Sequence, residues 1–177
     1  MNPVLKNGIT SEASSSGAMP FSSTRMKIFI GSDHAGFQLK EKLVPFLKEL
    51  GHEVEDKGAF DYNENDDYPD FVKPVAQEIS KNPNSTQHRG IVLGGSGQGE
   101  AISANKFKNV RAMTYYAPSR GEVNIIKDSR GHNDSNVLSL GGRFLSEEEA
   151  KSAIKEWLET PFSGDERHVR RIAKLDI

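Results

Sequence analysis

The chain has 177 residues and a mass of 19.5 kDa, with Lys+Arg 23 against Asp+Glu 25 and a formal net charge of −2. That length suits one domain with a substantial core, and so balanced a charge gives no attraction to nucleic acid or an anionic membrane. There is no cysteine, which excludes a disulfide framework, a thiolate nucleophile and thiolate metal ligands and is compatible with a cytoplasmic location, and no apolar run approaches the roughly 18 residues of a membrane span.

Residues 1–25, MNPVLKNGITSEASSSGAMPFSSTR, are rich in Ser, Gly and Thr. They lack helical periodicity and the apolar core of about 7–15 residues that a signal peptide needs. They read as a flexible extension ahead of a single domain over 26–177. That domain opens on MKIFIGSD, a β-branched and aromatic run that predicts a buried strand. GFQLKEKLVPFLKEL follows with a helical apolar stripe closed by Gly51, and Pro45 inside it predicts a kink. HEVEDKG is a second short strand. AFDYNENDDYPD is an acidic loop leading into a helix over about 68–80. RGIVLGG is a third strand, and the glycine loop after it feeds a helix over about 98–107. VRAMTYY predicts the fourth strand, SRGEVNIIKDS a helix and NVLSLGG the fifth strand. Ser146 with three acids behind it starts a helix in SEEEAKSAIKEWLE, and GDERHVRRIAKLDI forms the last one. Strands alternating with helices imply crossover connections. The expected fold is a Rossmann-like three-layer α/β/α sandwich around a mainly parallel five-stranded sheet.

In such sheets ligands bind outside the carboxyl ends of the strands. Strand one ends in Asp33-His34, strand three in GGSGQGE, and strand five in Gly141-Gly142-Arg143, with GHNDSN just before strand five. The chemically capable residues are therefore expected to gather at one site. GGSGQGE matches neither G-x-G-x-x-G after a first strand nor a G-K-[ST] phosphate loop. What remains is either a tight turn or a nest of N–H groups for a carboxylate, phosphate or developing oxyanion. Glu100 is then either an acid favoured by the helix dipole or a general base beside an oxyanion hole. Spacing alone does not separate the two.

A lone loop histidine such as His132 is more often solvated than catalytic, whereas His34, beside Asp33 at a strand end, is expected to face the crevice. His52 and His88 stand in polar contexts and read as surface. No histidine pair has metal-ligand spacing, so neither a metal nor a cofactor is expected. Arg167 and Arg171, four apart, share a helical face; they form either a solvated helix end or a phosphate clamp. A nest, a base, a histidine acid and an arginine cluster together describe an enzyme that enolises a phosphorylated small molecule.

Six segments carry a family resemblance: GSDHAGFQLKEKL, DKG, DYPDF, GIVLGGSGQGEAISANK, RGHNDSNVLSLGGR and ERHVRRI. In that order, over about residues 26 to 172, the chain resembles type B ribose-5-phosphate isomerases, a group that includes galactose-6-phosphate isomerase subunits. The resemblance implies Rossmann-like, metal-free homodimers, sometimes dimers of dimers, that interconvert ribose 5-phosphate and ribulose 5-phosphate through a cis-enediolate. Many members carry a cysteine base at the position of Gly94. A subgroup has glycine there and glutamate six residues on, and this chain resembles it, which implies Glu100 as the base. The resemblance further implies that Gly95, Ser96, Gly97, Gly99 and Asn133 hold the enediolate, and that His132 opens the ring with Asp33. Tyr68 would line the pocket, and His34, Arg143, Arg167 and Arg171 would meet phosphate, the C-terminal arginines reaching into the partner subunit's site. Two alternatives remain open: the same chemistry on allose or galactose 6-phosphate or a tetrulose phosphate, and a non-catalytic sugar-phosphate binding module.

Overall fold

Apolar side chains on both faces of short strands, separated by amphipathic helices, dictate a sheet covered on both sides. The computed structural model describes residues 25–117 and 123–175. The expected N-terminal extension, apart from Arg25, and the first part of the predicted fourth helix therefore lie outside the described residues. The elements run β1 (Lys27–Ser32), α1 (His34–Glu49), β2 (Glu53–Asp56), α2 (Tyr68–Lys81), β3 (His88–Gly94) and α3 (Gln98–Ala104). They continue with β4 (Ala112–Tyr115), α4 (Ile125–Gly131), β5 (Val137–Gly141), α5 (Glu147–Glu159) and α6 (Glu166–Ile172). The five strands form one sheet in the order β2-β1-β3-β5-β4, and every pairing is parallel.

Strand alternation sorts the core into two layers. Ile28, Ile30, Ile91, Leu93, Leu138 and Leu140 face α1, α4 and α5, where Leu43, Leu47, Ile126, Ile154 and Trp157 complete one cluster. Phe29, Val92 and Val137 face the other way, onto Val72, Val75, Ala76 and Ile79 of α2 and Ala104 of α3. The chain steps from β1 out to β2, then crosses back to β3 on the far side of β1. Consequently α1 and α3 leave neighbouring strands on opposite faces, and a crevice opens between the carboxyl ends of β1 and β3.

Local sequence explains most element ends. Asp33 caps α1 by accepting from Ala35 N–H at 2.9 Å and Gly36 N–H at 3.1 Å. Helix α1 continues through Pro45 and closes at Gly51, whose φ of +89° is the left-handed conformation glycine adopts without strain. Ser146 and Glu149 form a reciprocal capping box on α5. Helix α3 stops three residues short of its predicted end, where Asn105 pairs both its side-chain amide groups with Ala112 of β4 instead.

Two histidines read as surface are not. His52 is 7% exposed, its Nδ1 accepts from Met26 N–H at 3.3 Å, and burial lowers its pKa. His88 stacks on Phe29 with ring centroids 6.3 Å apart. Arg89 is 3% exposed, sits 5.3 Å above the Trp157 ring, and leaves Nε and Nη1 without partners. Burial, reinforced by nearby Arg130, lowers its pKa to about 9.

Candidate active site

The glycine loop occupies the crevice because almost every side chain would collide there. A Cβ on Gly94 would stand 1.8 Å from Glu100 Oε1, and one on Gly99 would stand 2.9 Å from the Tyr68 ring. Gly97, with φ +77°, begins α3, and its carbonyl accepts from Ser139 Oγ at 2.6 Å. Gly142 N–H donates to Gly94 O at 2.8 Å and Arg143 N–H to Gly95 O at 3.1 Å, so the turn after β5 braces the loop. The Arg143 guanidinium lies against Gly95, about 3.4 Å from where its Cβ would be. The main-chain N–H groups of Gly95, Ser96 and Gly97 make no hydrogen bond within the described residues, which leaves three successive donors of the kind that form an anion nest.

Glu100 is 4% exposed and makes no ion pair among the described residues. Burial raises its pKa, and the nearby Asp33 carboxylate raises it further. Asp33 is also pushed up, first by burial and then by Asp66, against the pull of the α1 amides. His34 N–H donates to Asp66 Oδ1 at 3.1 Å, and His34 Nδ1 meets the same oxygen at 2.7 Å. Tyr62 stands edge-on to the His34 ring at 6.3 Å between centroids. The carboxyl end of the sheet thus unites Asp33, His34, Tyr68, Gly95, Ser96, Gly97, Gly99, Glu100 and Arg143. Asp66 belongs with them but was not singled out from sequence, where it is one of several acids in NENDDYP.

The remaining candidates lie elsewhere. The 132–136 loop precedes β5, and Arg111 and Ser85, which hold it, precede β4 and β3. Arg111 Nε donates to Asn133 O at 3.0 Å, and Ser85 Oγ donates to Asp134 Oδ1 at 2.6 Å. His132 and Asn133 therefore sit at the amino end of the sheet, about 15–20 Å from the glycine loop at roughly 3.3 Å per residue. The expectation that all the candidates gather is corrected accordingly: a loop before a parallel strand must lie at the end opposite the loops that follow strands. Arg130 and Asn136 prove structural. Arg130 Nη1 pairs with Asp134 at 2.8 Å, and Asn136 holds Arg111 N–H and Asn109 O.

Helix α6 docks at this amino end. His168, 3% exposed, packs its ring 4.5 Å from the ring of His132, and Ser163 Oγ lies 3.0 Å from its Nδ1. Arg167, Val169, Arg170 and Arg171 all point to solvent. His132, Asn133, Arg167 and Arg171 thus form a second group at the amino end. Beside Asn133, a cavity of about 420 Å³ is lined by Phe107, Val110, Met113 and Leu175.

Ligand atoms of Asp33, His34 and Asp66 all lie within 4.8 Å of one another, the one such cluster among the described residues. Their proximity is accounted for by the α1 cap and the ring–carboxylate bond. No helix among the described residues is long and apolar enough to cross a membrane.

Residues 28–175, which carry this doubly wound sheet with its glycine loop, buried glutamate and histidine at the carboxyl end, match the ribose/galactose isomerase family. The chain belongs to that family. It is 39% identical over 147 residues to ribose-5-phosphate isomerase B of Mycolicibacterium paratuberculosis, covering 83% of this chain and 87% of that one. With the Escherichia coli ribose-5-phosphate isomerase B the identity is 38% over 149 residues, covering 84% and 93%. Among solved structures, ribose-5-phosphate isomerase B from Mycoplasma genitalium with bound ribulose-5-phosphate superposes with a TM-score of 0.78 at 36% identity, covering 85% of this chain and 93% of that one. The Thermotoga maritima enzyme gives 0.75 at 42% identity, covering 85% and 97%.

Proposed function

We propose that the chain interconverts ribose 5-phosphate and ribulose 5-phosphate through a cis-enediolate, with Glu100 as the base. One observation carries this reading. The Glu100 carboxyl fills the space a side chain at Gly94 would need, with Oε1 1.8 Å and Cδ 2.2 Å from the position of that absent Cβ. In relatives with a cysteine base at that position, the base would start from the same point. Glutamate here supplies a base to the same side of the nest.

The chemistry follows. His132 protonates the ring oxygen while Asp33 takes the proton of the anomeric hydroxyl, which gives the open-chain aldehyde. Glu100 then removes the proton from C2, and the electron pair moves through C1 onto O1. The amides of Gly95, Ser96, Gly97 and Gly99, with Asn133, hold that oxyanion where it forms. The O2 proton passes to O1, and Glu100 returns its proton to C1, leaving the ketone. Tyr68 lines the sugar pocket, and His34, Arg143, Arg167 and Arg171 meet the phosphate. A raised pKa suits Glu100 to both halves of the transfer.

Glu100 and His132 stand at opposite ends of one sheet, so a complete site on this reading takes its two halves from two chains. A two-fold dimer does this twice, and a dimer of dimers would keep the same pairing. The test is isomerisation of ribose 5-phosphate with a chelator present, using wild type, Glu100→Gln, His132→Ala, and the two variants denatured and refolded together. Each single variant is expected to be nearly inactive. The mixture should recover roughly a quarter of wild-type activity, because half the dimers are mixed and each of those has one intact site. An inactive mixture would sink the shared site. A silent wild type would pass the assay on to six-carbon and four-carbon sugar phosphates, the second reading, which the galactose members of the family favour.

A further inference from the structure

Asp66 lies in the acidic loop between β2 and α2, where chains commonly place solvated carboxylates. Its surroundings are different. The side chain is 7% exposed, and Oδ1 accepts from both the main-chain N–H of His34 at 3.1 Å and the His34 ring at 2.7 Å. One oxygen thus fixes the ring relative to the first turn of α1. Nδ1 must carry the proton in that bond, since a carboxylate only accepts, and so Nε2 is the nitrogen left for a ligand. The second oxygen, Oδ2, is buried and has no partner. The same carboxylate lies beside Asp33 and His34, with one ligand atom of each residue within 4.8 Å of the others. A buried acceptor without a donor is costly and rarely kept without a reason. The cost disappears when a ligand brings a hydroxyl.

We infer that Asp66 has two functions in substrate recognition: through Oδ1 it positions His34 for the phosphate, and through Oδ2 it accepts a hydrogen bond from a sugar hydroxyl. The inference rests on the phosphate role proposed for His34. With one carboxylate gripping the phosphate-binding ring and contacting the sugar directly, the distance from phosphate to hydroxyl becomes fixed. Compounds that offer phosphate alone, or a phosphorylated chain without the hydroxyl, gain only part of the contact.

The two functions separate by substitution. Asp66→Ala removes both oxygens. Asp66→Asn keeps an Oδ1 that can hold His34 but replaces the free acceptor with a donor. Binding of inorganic phosphate is measured by titration calorimetry, and KM and kcat on ribose 5-phosphate by steady-state kinetics, for wild type, both Asp66 variants, His34→Ala and the Asp66→Ala/His34→Ala double variant. For Asp66→Ala, phosphate binding and KM should both weaken about tenfold while kcat changes less than about threefold. Asp66→Asn should bind phosphate within about twofold of wild type yet raise KM about fivefold. The double variant should bind phosphate no worse than His34→Ala, because the carboxylate reaches the phosphate only through the ring.

Phosphate binding unchanged in Asp66→Ala but weakened in His34→Ala would overturn the inference and leave the role of His34 standing. Losses that multiply in the double variant would overturn it too. Unchanged phosphate binding in His34→Ala would overturn the phosphate role of His34 and that of Asp66 with it. Because phosphate binding is read without turnover, a wild type that binds phosphate but does not isomerise ribose 5-phosphate counts against the proposed reaction, not against Asp66.

Discussion

Glu100 is buried with a raised pKa and makes no ion pair among the described residues, so its ionised form costs stability; on the proposed reading that form is the base. Glu100→Gln should lower kcat by about 10²–10⁴, the usual worth of a general base, and stop exchange of the substrate C2 proton with solvent while phosphate still binds. The same change should stabilise the fold. A carboxyl whose folded pKa is raised holds its proton more tightly when folded, so its penalty is felt above that pKa and vanishes below the unfolded value. Thermal melts should therefore show Glu100→Gln above wild type at pH 8, with the gap closing toward pH 4. The acid limb of kcat/KM should likewise fall above 4.5, the ordinary glutamate value. Gly94→Ala puts a methyl where the carboxyl lies and should cost activity comparably to Glu100→Gln, with a lower melting temperature besides. The glycine loop and Glu100 were legible because glycines this dense have few uses. Asp66 and His52 were not, since an acid in an acidic loop or a histidine in a polar run shows its burial only once distant chain packs over it.

Helices and strands were legible wherever periodicity and end signals agreed, as in α5 with Ser146 before it or α1 with Gly51 behind. Helix α1 runs through Pro45, as expected, with Leu43 and Leu47 on its buried face. Strand β3 carries a cost that sequence did not reveal. Arg89, two residues before the apolar run Ile91–Leu93, points into the layer around Trp157 with two nitrogens unsatisfied. Its pKa falls from the ordinary guanidinium range to about 9, so the penalty on the charged form acts below pH 9 and eases above it. Arg89→Leu should raise the melting temperature by ~3 °C at pH 7, on the order of 1 kcal/mol, and by less at pH 10. An unchanged or lower melting temperature at pH 7 would mean that the stacking on Trp157 outweighs the burial. Helix α6 is the opposite case, held by His168 while its arginines face water. On the proposed reading, Arg171→Ala should raise KM roughly 10- to 100-fold with a much smaller change in kcat, as befits a lost contact to a charged group. Equal losses in both constants would place Arg171 in the chemistry instead.

At the scale of the molecule, parallel topology decides where each loop can act. The order of motifs suggested one gathering place, but residues before a strand and residues after it cannot meet in the same chain. That separation makes catalysis, on the proposed reading, an act of two chains, and so ties turnover to encounter. Below the dissociation constant of the pair, complete sites form with the square of chain concentration, and activity per milligram should fall in proportion as the protein is diluted. A preparation that keeps its specific activity down to concentrations where light scattering finds only single chains would show that each chain works alone. Otherwise the enzyme measures its own abundance: scarce chains idle, and turnover begins as synthesis brings partners within reach.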